Sequence, residues 1–304
     1  MTNDNQQTHL IDQFRVPFVP NYIPQGDEAE TFRVAYKTNI PVILKGPTGC
    51  GKTRFVEYMA YHLDLPLITV SCHEDLTAAD LVGRFLFKDN QTVWQDGPLT
   101  LAVRYGGICY LDEIVEARND TTVIIHSLTD DRRILYIDKT GEVIRAHENF
   151  MVALSYNPGY QSIMKDLKHS TKQRFVSLNF EHPLQEVEEE ILRTETGLSS
   201  EECRKLAELG GKIREMKGYG LEEGVSTRLL VYAGRLMTAG LPATDACEAA
   251  ICQILTEEPD VLDSIRNIVN LYFGELMEEG DESVQSEQGK EEKKEDTEDN
   301  SEQE

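Results

Sequence analysis

The apolar run Ile40-Pro41-Val42-Ile43-Leu44-Lys45 leads directly into Gly46-Pro47-Thr48-Gly49-Cys50-Gly51-Lys52-Thr53, and a segment with Phe55, Met59 and Leu63 on one helical face follows. This order of buried strand, glycine-rich loop and amphipathic helix constrains the fold more than any other feature of the chain. Glycines at these spacings let backbone N–H groups curl around phosphate oxygens, and the helix behind them offers its positive end. Lys52 then reaches the β- and γ-phosphates, and the Thr53 hydroxyl ligates Mg²⁺. A glycine-rich turn that merely contains Gly-Lys-Thr would not need the strand before it or the helix after it. Cys50 reads as a small filler of the loop, with some reactivity expected of a thiol near a helix N-terminus.

Four further runs share the character of the first strand: PLITVS, GICYLD, MVALSY and FVSLNF. Alternating with helical patterns through the first 180 or so residues, they predict an α/β fold with a parallel sheet covered on both faces. Two stretches break this rhythm and read as inserted β-hairpins: RFLFKDNQTVWQDG, and RRILYIDKTGEVIRAHE around Lys139-Thr140-Gly141. Beyond His182-Pro183 the period changes to that of helices, with Ser199 and Glu202 spaced as a capping box and Gly240 placed for a helix end. The division expected is an N-terminal arm over 1–20, an α/β core over 21–183, an all-helical lid over 184–277 and a tail over 278–304.

The strand Ile108-Cys109-Tyr110-Leu111 ends in Asp112-Glu113. Acids at the carboxyl end of a parallel strand stand beside a phosphate-binding loop, where Asp112 supports Mg²⁺ and Glu113 orients and polarises a water. Asn157, after MVALSY, either holds that water or the γ-phosphate, or is the first residue of an Asn-Pro-Gly turn. Arg174, before the last strand, suits the spread charge of phosphoryl transfer, and Lys172 is its rival for the role. Arg228, in STRLLVYAGRL, could reach back to the γ-phosphate. The absence of an Asn-Lys-x-Asp guanine-reading pattern favours adenine. His62, His73, His126 and His169 lack metal-ligand spacing.

Charge narrows the function classes. The chain of 304 residues carries 54 acidic and 30 basic side chains, a formal net charge of −24. Such an excess argues against broad contact with nucleic acid or an anionic membrane. Residues 278–304 hold thirteen acidic and three basic residues with almost nothing apolar, the composition of a disordered, solubilising tail. The six cysteines form no Cys-x-x-Cys pair, and several fall in apolar runs such as GGICYLDE, as reduced core residues do in a cytoplasmic protein. Neither a leader pattern nor an apolar run of spanning length is evident, so no direct membrane insertion is expected. Three other classes compete with an energy-transducing ATPase. A small-molecule phosphotransferase would need an acceptor pocket, a nucleic-acid motor is opposed by the charge, and a scaffold without turnover is opposed by the intact Asp112-Glu113 pair.

Taken together, GPTGCGKT, ICYLDE, SYNPGY, STKQRF and EEGVSTRLLVYAGRL resemble the MoxR branch of the AAA+ ATPases, and more narrowly its NorQ/NirQ/CbbQ group. The likeness runs from about Tyr22 to about Phe273 and includes the long stretch GGICYLDEIVEARNDTTVIIHSLTDDRRILYIDKTGE. The resemblance implies that Gly46, Pro47, Thr48, Gly49, Cys50, Gly51, Lys52 and Thr53 bind ATP as Walker A, and that Thr53 and Asp112 hold Mg²⁺. It makes Asp112 and Glu113 the Walker B pair, Asn157 sensor 1, Arg174 the finger given to a neighbouring subunit, and Arg228 sensor 2. It also implies hexameric rings with both hairpins facing the pore, a von Willebrand factor A domain partner, and a metalloenzyme client. NorQ and NirQ relatives serve nitric oxide reductase, and CbbQ relatives serve rubisco. SCHEDLTAADLVGR, VWQDGPLT and LEEGVSTRLLVYAGRL lie closer to the former. The N-terminal arm and the acidic tail fall outside the shared pattern.

Overall fold

The computed structural model describes residues 11–158, 167–218 and 220–274. The first ten residues of the expected arm, Gly159 of the expected turn and the tail expected over 278–304 lie outside the described residues. Five parallel strands form the central sheet: β1 (Val42–Lys45), β2 (Leu67–Ser71), β5 (Gly107–Asp112), β8 (Phe150–Tyr156) and β9 (Val176–Asn179), in the order β2-β5-β8-β1-β9. Each corresponds to one of the five apolar runs. The strands read as continuous apolar segments because helices cover both faces, and β8 is buried at all seven positions.

Side chains alternate across the sheet with period two. Ile43, Cys109, Leu111, Val152 and Leu154 therefore join Leu81, Leu99 and Val103 in one layer. Val42, Leu44, Ile108, Tyr110 and Ala153 face the other way, onto Phe32, Phe55, Val56 and Met59. That second layer is supplied by α1 (Glu28–Lys37) and α2 (Lys52–His62), so the helix opened by the glycine-rich loop is pinned by its own apolar stripe. Part of the expected arm also packs, with Ile11 in the first of these layers. Ile11 is buried, the Phe14 carbonyl accepts from Leu67 N at 2.9 Å, and Arg15 bonds to the Asp64 carbonyl at 2.8 Å.

Both hairpins form. β3 (Gly83–Lys88) and β4 (Gln91–Asp96) stand between the short helix α3 (Ala78–Val82) and α4 (Pro98–Tyr105). β6 (Ile134–Ile137) and β7 (Glu142–Arg145) precede β8, after the helical turns that include α5 (Asn119–Ile124). Arg104 ties the two insertions together, bonding Asp96 at 3.0 Å and Glu142 at 2.6 and 2.9 Å. Their apolar residues are unevenly covered: Phe85 and Trp94 pack edge to face at 5.1 Å, while Phe87 is 75% exposed.

After the short helix α6 (His169–Lys172) and β9 the chain is helical. α7 (Gln185–Thr196), α8 (Ser200–Glu215), α9 (Thr227–Thr238) and α12 (Pro259–Phe273) bury a third apolar cluster that includes Leu192, Leu206, Leu230 and Ile265. Ser199 and Glu202 make the expected capping box, and Gly240 follows the C-cap of α9. One expectation differs. ATDACEAAICQIL reads as a single helix, yet α10 (Ala243–Cys247) widens into a π turn over Glu248–Cys252 before α11 (Gln253–Leu255). The wider turn buries Ala250, Ile251 and Cys252 while Glu248 reaches Arg266 on α12 at 2.5 and 3.0 Å.

Candidate functional site

The carboxyl ends of the strands open onto a cleft of about 650 Å³ between the sheet and the helical part. Its floor is the loop before α2. Two glycines there are dictated by geometry. A Cβ at position 46 would collide with the Phe180 carbonyl oxygen, and Gly49 has φ +70° with Ser226 Cβ 2.5 Å from where a Cβ would stand. Lys52 is buried, its Nζ donating to the carbonyls of Gly46 and Pro47 at 2.8 Å each. Cys50 corrects the expectation of a reactive thiol: burial raises its pKa, and the nearby Lys52 only partly opposes this. All six cysteines are buried and unpaired.

The register of the sheet aligns β2 with β5 and β5 with β8, which brings Ser71 and Ser155 beside Asp112. Asp112 accepts from the Thr53 hydroxyl at 3.1 Å, the Tyr110 hydroxyl at 2.8 Å and the Ser155 hydroxyl. Ser155 Oγ in turn accepts from the Glu113 backbone N–H at 3.0 Å. Glu113 sits in the left-handed region at φ 55°, uncommon for a residue with a side chain, which turns its carboxylate out of the strand and into the cleft. Burial raises its pKa, the Asp112 charge adds to this, and Lys52 and Arg228 work against it. A carboxylate so perturbed is a better proton acceptor than an exposed one.

The cleft therefore brings together Thr48, Gly49, Cys50, Gly51, Lys52, Thr53, Asp112, Glu113 and Arg228. Asn157 stands behind this surface, its amide Nδ2 donating to Glu223 at 2.6 Å and to Thr48 Oγ1 at 3.3 Å. Arg174 lies outside the cleft of its own chain. One guanidinium nitrogen donates to the Ser170 carbonyl at 2.5 Å, and its Nε is buried without a hydrogen-bond partner among the described residues. The Lys172 ammonium rests 5.8 Å from the centre of the Tyr156 ring.

Several contributors escaped the sequence reading. Tyr22, Ile23, Ile191, Val231 and Tyr232 give the cleft an apolar end, with Tyr22 packed on Phe55 at 5.2 Å. Tyr22 and Ile23 lie in the stretch YIPQGDEAE, which marked only where the likeness begins. Ser155 had one signal, a hydroxyl in an otherwise apolar strand, and Tyr110 another, its spacing of two from Asp112. Arg228 is exposed at the start of α9, but the helix beneath it is fixed. Thr227 donates to Glu188 at 2.6 Å, and Glu188 takes both arms of Arg214 at 2.7 Å while only 1% exposed.

These features fit a nucleotide. Close-packed glycines free backbone N–H groups for phosphate, Thr53 and Asp112 provide hard oxygen donors suited to Mg²⁺, and the apolar end offers faces for a base. Among the described residues no helix is long and apolar enough to cross a membrane.

Comparison with known proteins agrees. Residues 41–175 match the family described as AAA domain (dynein-related subfamily), and residues 188–272 match CbbQ/NirQ/NorQ C-terminal. Protein CbbQ of Hydrogenophilus thermoluteolus is 57% identical, over 87% of this chain and 99% of its own. Protein NorQ of Paracoccus denitrificans is 56% identical, over 84% and 94%. The denitrification regulatory protein NirQ of Pseudomonas aeruginosa is 52% identical, over 83% and 97%. A solved structure of Thermotoga maritima RuvB shares the fold, with a TM-score of 0.50 at 15% identity over 84% of this chain and 74% of that one. With a glycine-rich loop, paired strand-end acids and a helical domain matched along their length at more than half identity, the chain belongs to the CbbQ/NirQ/NorQ group of AAA proteins.

Proposed function

We propose that this protein hydrolyses ATP with Mg²⁺ and spends the energy on remodelling a metalloenzyme, as a homohexamer with a von Willebrand factor A domain partner. The observation that carries the reading is the convergence of Lys52, Thr53, Asp112, Glu113 and Arg228 on one cleft. Bound there, ATP with Mg²⁺ supplies a phosphoanhydride bond and the cation that offsets its charge. Lys52 and the loop N–H groups bind the phosphates, Thr53 and Asp112 hold the metal, and Glu113 takes the proton of the attacking water. Asn157 faces the γ-phosphate, and Arg228 reports on it from the lid. Arg174 acts in the cleft of a neighbouring subunit, with Lys172 as the alternative, and such a finger is worth about 10³ to 10⁵ in rate. Rings mixed from Arg174→Ala and Lys52→Ala subunits should regain activity that neither variant has alone. Failure to recover it in rings proven to be mixed removes the trans role.

Exposed Phe87 and Val93 on the first hairpin and Tyr136 and Val143 on the second would grip the client from the pore. For the client we favour a nitric oxide reductase, supported by the likeness to NorQ and to NirQ, whose name describes denitrification regulation. A likeness to CbbQ of equal size supports rubisco as the second reading. Candidate clients expressed with and without this ATPase and its partner, then assayed for activity and metal content, separate the two. Reductase made equally active without the ATPase, beside a rubisco rescued only with it, overturns the choice.

A further inference from the structure

The segment from Leu221 to Arg228 touches the loop and strand ends at three places. Ser226 lies against Gly49, Arg228 lines the cleft, and Glu223 accepts from the Asn157 amide at 2.6 Å. The same Nδ2 also donates to Thr48 Oγ1, so both its protons are engaged. Burial is the main cause of the raised Cys50 thiol, and the Glu223 charge adds to it, which sets that carboxylate close to the phosphate-binding loop. The segment is also clamped from behind: Arg214 Nε donates to the Val225 carbonyl at 2.9 Å, and Thr227 is bonded to Glu188. A half-buried carboxylate is thus held, on a braced backbone, against an amide at the edge of a site built for anions.

We propose that Glu223 makes the protein discriminate between nucleotides with and without a γ-phosphate, by competing as an anion for the Asn157 amide. The N–H given to Glu223 cannot at the same time serve a phosphate oxygen, and like charges brought together repel, so a third phosphate that takes this donor turns Glu223 out. ADP, lacking that phosphate, leaves the contact in place. Displacing Glu223 shifts the segment that carries Ser226 and Arg228, and phosphate occupancy thereby becomes a movement of the lid. This inference rests on the reading of Asn157 as the amide that faces the γ-phosphate.

The test is equilibrium binding of Mg²⁺–AMP-PNP and of Mg²⁺–ADP to the full chain. Glu223→Gln and Glu223→Ala should each tighten AMP-PNP about fivefold or more and leave ADP within about twofold, an effect in the range of ordinary site-to-site coupling. Equal changes for both nucleotides would mean a structural role alone, and no change for either would mean no competition; each result overturns the proposal. Glu222→Gln, at the exposed neighbouring acid, removes the same charge and should change neither affinity. A shift there matching that of Glu223→Gln would assign the effect to bulk charge and overturn it as well. Asn157→Ala separates the two layers of the argument. Unimpaired ATP turnover in that variant removes the reading of Asn157 itself, whereas lost turnover with unaltered selectivity in Glu223→Gln removes only the competition.

Discussion

On the sheet side of the cleft the side chains themselves are held: Asp112 accepts from three hydroxyls, and Lys52 is buried against two carbonyls. On the helical side the held element is backbone. Arg228 is exposed, and the rigid part is the Glu188, Arg214 and Thr227 network under its helix. The difference teaches how labour is divided. Groups that act on phosphate and water need fixed positions, which a buried parallel sheet supplies. On the proposed reading, groups that sense the phosphate move as a body, which a small helical domain braced within itself can do.

The largest test of this contrast is chemical. Glu113→Gln should bind ATP–Mg²⁺ with near-normal affinity and lose about 10² to 10⁴ in kcat, whereas Lys52→Ala should lose binding too. Titration calorimetry beside a phosphate-release assay reads both, and near-normal turnover in Glu113→Gln would break the sheet-side assignment. On the helical side the largest effect should be on stability. Glu188→Ala leaves Arg214 partly buried beside no carboxylate and should cost about 3–5 kcal/mol, more than Glu188→Gln. Trp94, the single tryptophan, sits on the first hairpin and reports on the core, while far-UV circular dichroism follows the helices. In urea the dichroism of Glu188→Ala should fall before the fluorescence changes. Coincident transitions would show that the two halves unfold as one.

Ser155→Ala sharpens the comparison at smaller amplitude. It removes a donor to Asp112 and the acceptor of the Glu113 N–H, worth about 1–3 kcal/mol, and should lower kcat about tenfold or more with little change in ATP affinity. An equal loss in affinity and rate would make Ser155 a folding residue rather than a positioning one. The last test concerns the hinge. His182 joins the two halves with its Nδ1 buried and without a hydrogen-bond partner among the described residues, and burial, with Arg214, Lys217 and Lys52 nearby, depresses its pKa from 6.5 to about 4. The unfolded chain binds the proton more readily in that interval, so stability should fall as pH drops from 6.5 toward 4. His182→Gln should flatten this fall, read as thermal midpoint against pH. An unchanged slope would place the acid sensitivity in other groups.

The amino-acid sequence by itself determined the five strands, the phosphate loop, both hairpins and the strand-end acids, because each is written in local periodicity and in glycine or acid placement within a few residues. The tertiary structure alone decided which of several similar side chains does what. Glu186, Glu188, Glu189 and Glu190 stand in one acidic run, yet only Glu188 is buried, because only it meets Arg214, 26 residues away. Ser155 reaches Asp112 across 43 residues through strand register, and Asn157 reaches Glu223 across 66 through the packing of lid on sheet. Pattern along the chain sets which face an element buries. The partner each polar group finds there depends on how distant elements are brought side by side, and that follows from the free energy of the whole packed fold.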